Sequence, residues 1–339
     1  MASITKLRLL NSCNRQKLFP VYQIQARHLS SILNPDSTTP LSSKEKSRAA
    51  LSLLKFEKNP ERIIEICRAA SLTPESHLDR VAFSIAISKL TELNYFEGIR
   101  NFIDELLKTR PDLNNEKFIS NAIIYYGQAG LLTNAFQLFD KMPELGAVQN
   151  AKSLNALLFS CMLAKKYDEV KRVYLDFPQK YGIKPNLDTY NTVIKSFCES
   201  GSSSSCYSVT AEMIRKKCKP NATTFGTMIA GFYKEEKFEE VGKVLEMMKK
   251  YEVPVTLGTY NIRIQSLWRG SGDFKAALEV CKKSMEKDWF PNFSTMKLLV
   301  EGLANSDKVD EAKEIIGKAK EKFPKNAGMW NEVEEKLPK

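Results

Sequence analysis

The sequence has few of the side chains on which enzymes and metal sites depend. Its 339 residues include only two histidines, His28 and His77, and none of its seven cysteines forms a CxxC pair. Catalysis by a Cys–His or Ser–His pair therefore has almost no candidate base, and a histidine-based zinc site has too few ligands. A glycine-rich phosphate-binding loop is also missing. We therefore expect no catalytic residues, no metal, no cofactor and no small-molecule substrate.

Long apolar runs are missing as well. The hydrophobic content is 43%, but no stretch approaches the ~20 apolar residues that a membrane-spanning helix needs. We therefore expect no membrane segment. The cysteines are scattered, and Cys161, Cys198 and Cys281 fall on or beside apolar stripes. Because cysteine packs as a small hydrophobic residue, we expect buried, reduced thiols.

Acidic residues are absent from residues 1–29, which contain five Lys or Arg. A basic, partly apolar start without acidic residues is typical of an organelle transit peptide. The order Arg-His-Leu-Ser-Ser at 27–31 resembles the mitochondrial processing pattern, so we expect cleavage near Leu29/Ser30 and import into the mitochondrial matrix. The alternative is a basic N-terminal tail that carries no targeting signal. Residues 30–44 follow as a polar linker interrupted by proline, and Ser42 with Glu45 predicts a capping box.

The positive charge is unevenly distributed. The whole chain has a net charge of +11, of which residues 1–50 contribute +6. The remaining 289 residues are therefore only mildly basic. This charge permits RNA binding but does not require it.

A repeat dominates what the sequence does contain. An apolar residue that opens a helical pattern recurs every 35 or 36 residues. Its positions are Phe83, Ile119, Leu154, Tyr190, Phe225, Tyr260 and Met296. Such a period indicates stacked supersecondary units, each too small to bury its own apolar face without neighbours.

Residues 187–221 show what one repeat encodes. Tyr190, Val193, Ile194 and Phe197 have the i, i+3, i+4, i+7 spacing of an amphipathic helix. A run of serines breaks this helix, a second apolar helical pattern follows, and a proline ends it. Stacking such helix–turn–helix units predicts an all-α solenoid. The expected repeats are 45–79 (degenerate), 80–114, 116–150, 151–186, 187–221, 222–256, 257–292 and 293–327, followed by a C-terminal cap at 328–339.

Several motifs narrow the type of solenoid. Both 188–191 and 258–261 end in Thr-Tyr-Asn, and the segments 183–186 and 219–221 end in Lys-Pro-Asn. Residues 126–130 read Tyr-Gly-Gln-Ala-Gly. Together these segments resemble the opening, closing and central motifs of pentatricopeptide repeats (PPR), over about residues 45–325. The chain is similar to the P-class of plant mitochondria, and the resemblance implies a right-handed superhelical solenoid of about eight repeats.

The same resemblance implies which side chains read RNA. In this family one nucleotide per repeat is read by two polar side chains, at the fifth and the last position. The fifth positions are Ser84, Ser120, Asn155, Asn191, Gly226, Asn261 and Lys297. The last positions are Asn114, Asn150, Asn186, Asn221, Thr256 and Asn292. The family code then implies a preference of the form A-A-Y-Y-n-Y, from 5′ to 3′, where Y is a pyrimidine.

Other roles for these residues stay open. Asn beside a proline turn is also an ordinary helix cap. Gly226 has no side chain with which to read a base, and Lys297 suits a phosphate better than a base edge. The register of 116–150 has a second possibility, because Asn121 adjoins Ser120. Candidate phosphate contacts, or simply solvated charges, are Lys152, Lys184, Lys219, Arg263 and Lys297.

These observations lead to one main functional expectation and two alternatives. We expect a non-catalytic mitochondrial protein that binds single-stranded RNA or rRNA. The resemblance to short P-class members implies association with the mitochondrial ribosome, contact with its proteins and a role in translation. The first alternative is a free factor that processes or stabilises one transcript. The second is a scaffold that binds a protein helix in the manner of tetratricopeptide repeats.

Overall fold

The computed structural model describes residues 32–33, 41–72, 79–268 and 272–337. The predicted transit peptide, its processing site, most of the linker and His77 lie outside these residues. Within them, helices and short 3-10 turns are the only regular elements, and no strand occurs. None of the described helices is long and apolar enough to cross a membrane.

The chain divides into two compact units, the first ending at Lys184 and the second beginning at Pro185. The first unit is a series of helix pairs, and the second is a series of helix pairs followed by one further helix, α17. The first unit contains α1 (Ser43–Phe56), α2 (Pro60–Ser71), α3 (Arg80–Glu92), α4 (Phe96–Thr109), α5 (Glu116–Gln128), α6 (Leu132–Asp140), α7 (Ala151–Leu163) and α8 (Tyr167–Lys180). The second contains α9 (Leu187–Glu199), α10 (Cys206–Arg215), α11 (Ala222–Lys234), α12 (Phe238–Lys250), α13 (Leu257–Ser266), α14 (Phe274–Met285), α15 (Phe293–Ala304), α16 (Val309–Lys322) and α17 (Ala327–Glu334).

The first helix of every pair begins at a polar cap. The predicted capping box of α1 is present, because Ser42 and Glu45 satisfy each other's backbone N–H groups. The later first helices begin after Asp79, Asn115, Asn150, Asn186, Asn221, Thr256 and Asn292. In each case the side-chain oxygen accepts a hydrogen bond from the N–H of the second or third helical residue, which otherwise has no partner inside the helix.

In every pair after the first, the turn between the two helices contains one residue with left-handed backbone geometry. These residues recur at the same 35- or 36-residue period as the apolar pattern. They are Asn94, Gly130, Lys165, Gly201, Glu236, Gly272 and Asp307, with φ between 55° and 76°. Glycine adopts this conformation without steric cost, so Gly130, Gly201 and Gly272 favour the turn where the other repeats hold a strained residue.

The apolar stripes of neighbouring pairs meet in a continuous core within each unit. The seven periodic apolar residues, from Phe83 to Met296, are all buried. In the first unit α5 packs against both α6 and α7, and in the second α11 packs against α12 and α13. The all-α solenoid of helix–turn–helix repeats that the period predicts is thereby confirmed. Six free thiols are described, of which five are buried and Cys218 is half-buried.

Some of these contacts depend on glycine. An ideal Cβ at Gly127 in α5 would lie 2.4 Å from the Ser160 Cα in α7. The close approach lets the Ser160 hydroxyl donate to the Ile123 carbonyl across the two helices, at 2.8 Å. This contact fixes the separation of α5 and α7, and hence the spacing of the polar side chains that these two helices carry.

Candidate nucleic-acid interface

The helix caps and the predicted fifth positions stand in one register. Counting five residues on from each cap gives Ser84, Ser120, Asn155, Asn191, Gly226, Asn261 and Lys297, which are the predicted fifth positions. All of them lie on the first helix of a pair, and all except Ser120 and Gly226 are half-buried. A side chain of this exposure is anchored by the protein and still accessible to a ligand.

One last-position residue is displaced from this register. Asn115, and not Asn114, caps α5, and its Oδ1 accepts from the Phe118 N–H at 3.0 Å. Asn114 follows a 3-10 turn and donates from Nδ2 to the Leu107 carbonyl at 3.2 Å, while its Oδ1 is buried without a hydrogen-bond partner. Asn115, and not the predicted Asn114, therefore occupies the cap position that follows the repeat of Ser84. The combination of Ser with Asn is unchanged.

In the first unit two of the residues predicted to contact bases, Ser84 and Asn150, are hydrogen-bonded to neighbouring side chains, and Ser120 differs. The Ser84 hydroxyl donates to Gln128 Oε1 at 2.9 Å, and Gln128 donates in turn to the Ser84 carbonyl and to Ser88 Oγ. Ser120 Oγ is buried and has no partner. Asn150 caps α7 through Oδ1 and donates from Nδ2 to Glu116 at 2.6 Å.

In the second unit the two members of a pair meet directly or through one hydroxyl. Thr224 Oγ1 lies 2.7 Å from Asn191 Oδ1 and 3.1 Å from Asn221 Oδ1. The backbone N–H of Asn292 donates to Asn261 Oδ1 at 3.2 Å, while Asn292 Oδ1 caps α15. The predicted pairs Asn191–Asn221 and Asn261–Asn292 are therefore brought together in space.

Gly226 leaves a cavity in place of a side chain. The cavity has a volume of about 410 Å³ and is lined by small residues of α11 together with Ile262 and Thr256, the predicted partner of Gly226. Thr256 caps α13, with its hydroxyl accepting from the Thr259 N–H at 3.3 Å. At this repeat the structure offers space where the neighbouring repeats offer an amide.

The candidate phosphate contacts differ in their surroundings. Lys152 and Lys297 each face a carboxylate, Glu116 at 3.2 Å and Glu301 at 3.7 Å. Lys184 and Lys219 are exposed in the segments just before two caps. Arg263 is half-buried, and its Nε is buried without a hydrogen-bond partner. Within the described residues no group of three or more His, Cys, Asp or Glu is arranged to hold a metal ion.

The fifth positions and caps of successive repeats form a row of polar side chains, which we call the polar row. Two polar contacts of the polar row are not predicted from the sequence. Ser47 stands five residues after the Ser42 cap, and its hydroxyl donates to the Asp79 carboxylate at 3.1 Å. Asp79 returns a backbone N–H bond to Ser47 Oγ at 3.0 Å, so the first, degenerate repeat carries a pair of the same kind. Counting five residues from the capping box finds Ser47. Gln128, 44 residues from Ser84, gives no such signal.

Family models and relatives of known sequence point to the same protein family. Family models described as PPR repeat (121–146 and 223–253), pentatricopeptide repeat domain (137–200) and PPR repeat family (185–234) match the chain. A mitochondrial pentatricopeptide repeat-containing protein of Arabidopsis thaliana is 42% identical over 91% of this chain and 93% of its own length. The Arabidopsis small ribosomal subunit protein mL103 (rPPR7) is 25% identical, with 92% of each chain covered.

Two further comparisons are less extensive. The Arabidopsis small ribosomal subunit protein mS79 (rPPR3b) is 30% identical over 50% of this chain and 43% of its own. The structure of PPR10 with an 18-nt psaJ RNA element superposes with a TM-score of 0.52 at 14% identity. That superposition covers 90% of this chain, which spans about half the length of PPR10, and it shows likeness of fold alone. From the helical repeats and the extended identity with the Arabidopsis relative, the chain belongs to the pentatricopeptide repeat family.

Proposed function

We propose that this chain is a non-catalytic mitochondrial protein that binds single-stranded RNA through the paired fifth and cap positions of its repeats. The observation that carries the proposal is the common register of the two positions. Seven successive repeats place a fifth-position residue five residues after a polar cap. A polar pair that recurs in most of the repeats suits a ligand that itself repeats, as a chain of nucleotides does.

The hydrogen bonding within the pairs supports a specific chemistry. In the pair Asn191–Asn221 both amide oxygens are held by Thr224. The Nδ2 groups then remain to donate to a ligand, since an amide carries one acceptor and one donor group. Pyrimidine bases present carbonyl oxygens on their Watson–Crick edge. A donor pair at this repeat is therefore consistent with the pyrimidine preference that the family resemblance implies.

We further propose that the protein associates with the mitochondrial ribosome, contacts its proteins and acts in translation. Support comes from relatives named as small ribosomal subunit proteins, one of which matches over 92% of both chains. A mitochondrial location is supported by the basic start of the sequence and by relatives named as mitochondrial. Gly226 and Lys297 are poorly suited to recognise a base. A chain with two such positions is better suited to contact RNA within an assembly than to select one transcript by itself.

The test is sedimentation of a mitochondrial lysate on a sucrose gradient, with and without RNase or magnesium chelation. We expect the protein to migrate with a ribosomal subunit at near-stoichiometric abundance, and to follow the subunits when chelation separates them. Slow sedimentation with loss of bound RNA after RNase would instead indicate a free transcript-specific factor. Slow sedimentation that RNase does not change would contradict the RNA proposal and favour a protein-binding scaffold.

A further inference from the structure

Two thiols lie in contact inside the hairpin of α9 and α10. Cys198 is near the end of α9, Cys206 is the first residue of α10, and their Sγ atoms are 3.6 Å apart. Both side chains are buried, and neither is in a disulfide. A disulfide bond requires the two sulfurs to approach by roughly a further 1.5 Å.

The two thiols differ in their access to solvent. Cys198 is one of the residues that line the cavity beside Gly226, where Lys195, Glu199 and Lys234 also border the opening. Cys206 does not line this cavity and is fully buried, with its Sγ 3.5 Å from the Ile194 carbonyl. A small reagent that enters the cavity therefore meets Cys198 first, with Cys206 directly behind it.

The contact also shifts the pKa values of the two thiols in opposite directions. A hydrogen bond from the Cys206 thiol favours the Cys198 thiolate and lowers the pKa of Cys198, while burial opposes this effect. The same hydrogen bond, together with burial, raises the pKa of Cys206. By contrast, burial alone raises the pKa of Cys67 to about 12. Because the thiolate is the reactive form of cysteine, and because Cys198 is the thiol that lines the cavity, we expect Cys198 to be the nucleophile of the pair.

The fold does not require this pair. Cys198 and Cys206 stand 12 and 20 residues after the Asn186 cap. The equivalent positions are Met162 and Val170 in the hairpin of α7 and α8. They are Tyr233 and Val241 in the hairpin of α11 and α12. Larger apolar residues fill the site in these two hairpins, so a pair of cysteines is not needed to pack it.

We propose that Cys198 and Cys206 form a peroxide-sensitive dithiol site that converts reversibly to a disulfide within this hairpin. The Cys198 thiolate attacks one oxygen of hydrogen peroxide, the O–O bond breaks, and the released hydroxide takes up the proton lost by Cys198 to form water. The Cys206 sulfur then attacks the Cys198 sulfenic acid, and its proton leaves with the hydroxyl group as a second water. Two thiols and one peroxide thus give one disulfide and two waters, and a dithiol reductant reverses the change.

The experiment uses the full chain, reduced and then exposed to a series of hydrogen peroxide concentrations. Excess peroxide is removed, remaining thiols are alkylated in denaturant, and tryptic peptides are analysed by mass spectrometry. Trypsin cleaves after Lys195 and Arg215, so both cysteines lie in one peptide. We expect the oxidised peptide to carry no alkyl group and to be two hydrogens lighter than the dithiol peptide. Its rate of formation should be at least roughly tenfold higher than the rate at which Cys161 or Cys281 is oxidised.

Two variants isolate the order of the steps. In Cys206→Val, which restores the residue type of Val170 and Val241, we expect a sulfenic acid at Cys198 that dimedone traps, with no disulfide. Cys206→Ser serves the same purpose if the valine variant does not fold. In the matched control Cys281→Ser the disulfide should form as in the parent chain. The proposal is overturned if the peptide keeps both thiols at peroxide concentrations that oxidise the half-buried Cys218, or if Cys198 pairs with a different cysteine.

Discussion

Asn191 and Asn221 meet at a single hydroxyl, because Thr224 Oγ1 lies within 3.1 Å of the Oδ1 atoms of both. The Thr224 backbone N–H also donates to Asn221 Oδ1, at 3.0 Å, so this oxygen caps α11. Helix capping and the proposed base contact therefore use different atoms of the same side chain. The oxygen serves the helix, and the Nδ2 group remains to donate to RNA. The two roles can then be separated by mutation.

The first prediction separates capping from base reading at Asn221. Asn221→Asp keeps an oxygen that caps α11, so the free energy of unfolding should change by less than about 0.5 kcal/mol, whereas Asn221→Ala should lose about 1 kcal/mol. Asn221→Asp also removes the Nδ2 donor and adds a negative charge, so RNA affinity should fall by roughly 1–3 kcal/mol. Thermal denaturation and RNA titration at fixed salt measure the two effects.

The matched control for this prediction is Asn59→Asp. Asn59 caps α2, which is the second helix of its hairpin, with Oδ1 accepting from the Glu61 and Arg62 N–H groups. No base contact is proposed there, so both stability and RNA affinity should stay close to those of the parent chain. An equal loss of affinity in the two aspartate variants would point to a general effect of charge and would remove Asn221 from the proposed site.

The second prediction concerns two fifth positions together. Asn155→Ala combined with Asn191→Ala should weaken RNA binding by roughly 2–6 kcal/mol, at ~1–3 kcal/mol for each base contact. Asn134→Ala, on the second helix α6, is the control and should leave affinity unchanged. Fluorescence anisotropy with a labelled single-stranded RNA measures the difference. If the double variant binds RNA as the parent chain does and also retains a protein partner, the result favours the alternative function of a protein-binding scaffold.

The solenoid and the register of the fifth positions could be predicted because both follow from periodic packing. A buried apolar residue such as Tyr190 or Phe225 must recur wherever a helix meets the same seam, so its spacing records the repeat. The fifth position lies one residue after this apolar residue. Its location therefore required only counting along the chain.

What the sequence did not reveal depends on local backbone geometry and on long-range contacts. Asn114 and Asn115 are chemically identical, and the choice of cap is made by the extended backbone of Asn115 after the 3-10 turn. Asp79 stands 37 residues after Ser42, outside the regular period, so its pairing with Ser47 was hidden. The Ser84–Gln128 bond joins helices of different repeats and has no sequence pattern of its own.

The third prediction tests the close approach of α5 and α7 at Gly127. A Cβ at Gly127 would lie 2.4 Å from the Ser160 backbone, so Gly127→Ala must push α5 and α7 apart and should destabilise the fold by about 1–3 kcal/mol. Gly242 in α12 has no atom within 4 Å of an ideal Cβ, and Gly242→Ala should stabilise the fold by up to about 1 kcal/mol. Chemical denaturation measures both. The same sign for the two variants would contradict the close approach of α5 and α7.

The fourth prediction concerns Gly226, the fifth position that has no side chain to contact a base. Gly226 lies in α11 beside a cavity of about 410 Å³, and an ideal Cβ there meets only the Ile262 Cδ1, at 3.0 Å. Because this atom is the flexible end of a side chain, Gly226→Asn should be accommodated without unfolding. The new amide should favour a pyrimidine at the corresponding nucleotide over a purine by roughly 1–3 kcal/mol, whereas the parent chain should not discriminate. The measurement is the affinity for RNAs that differ only at that nucleotide, with Gly242→Asn on the second helix as control. Equal affinity of the Gly226→Asn variant for all such RNAs would show that bases do not reach this position of the row.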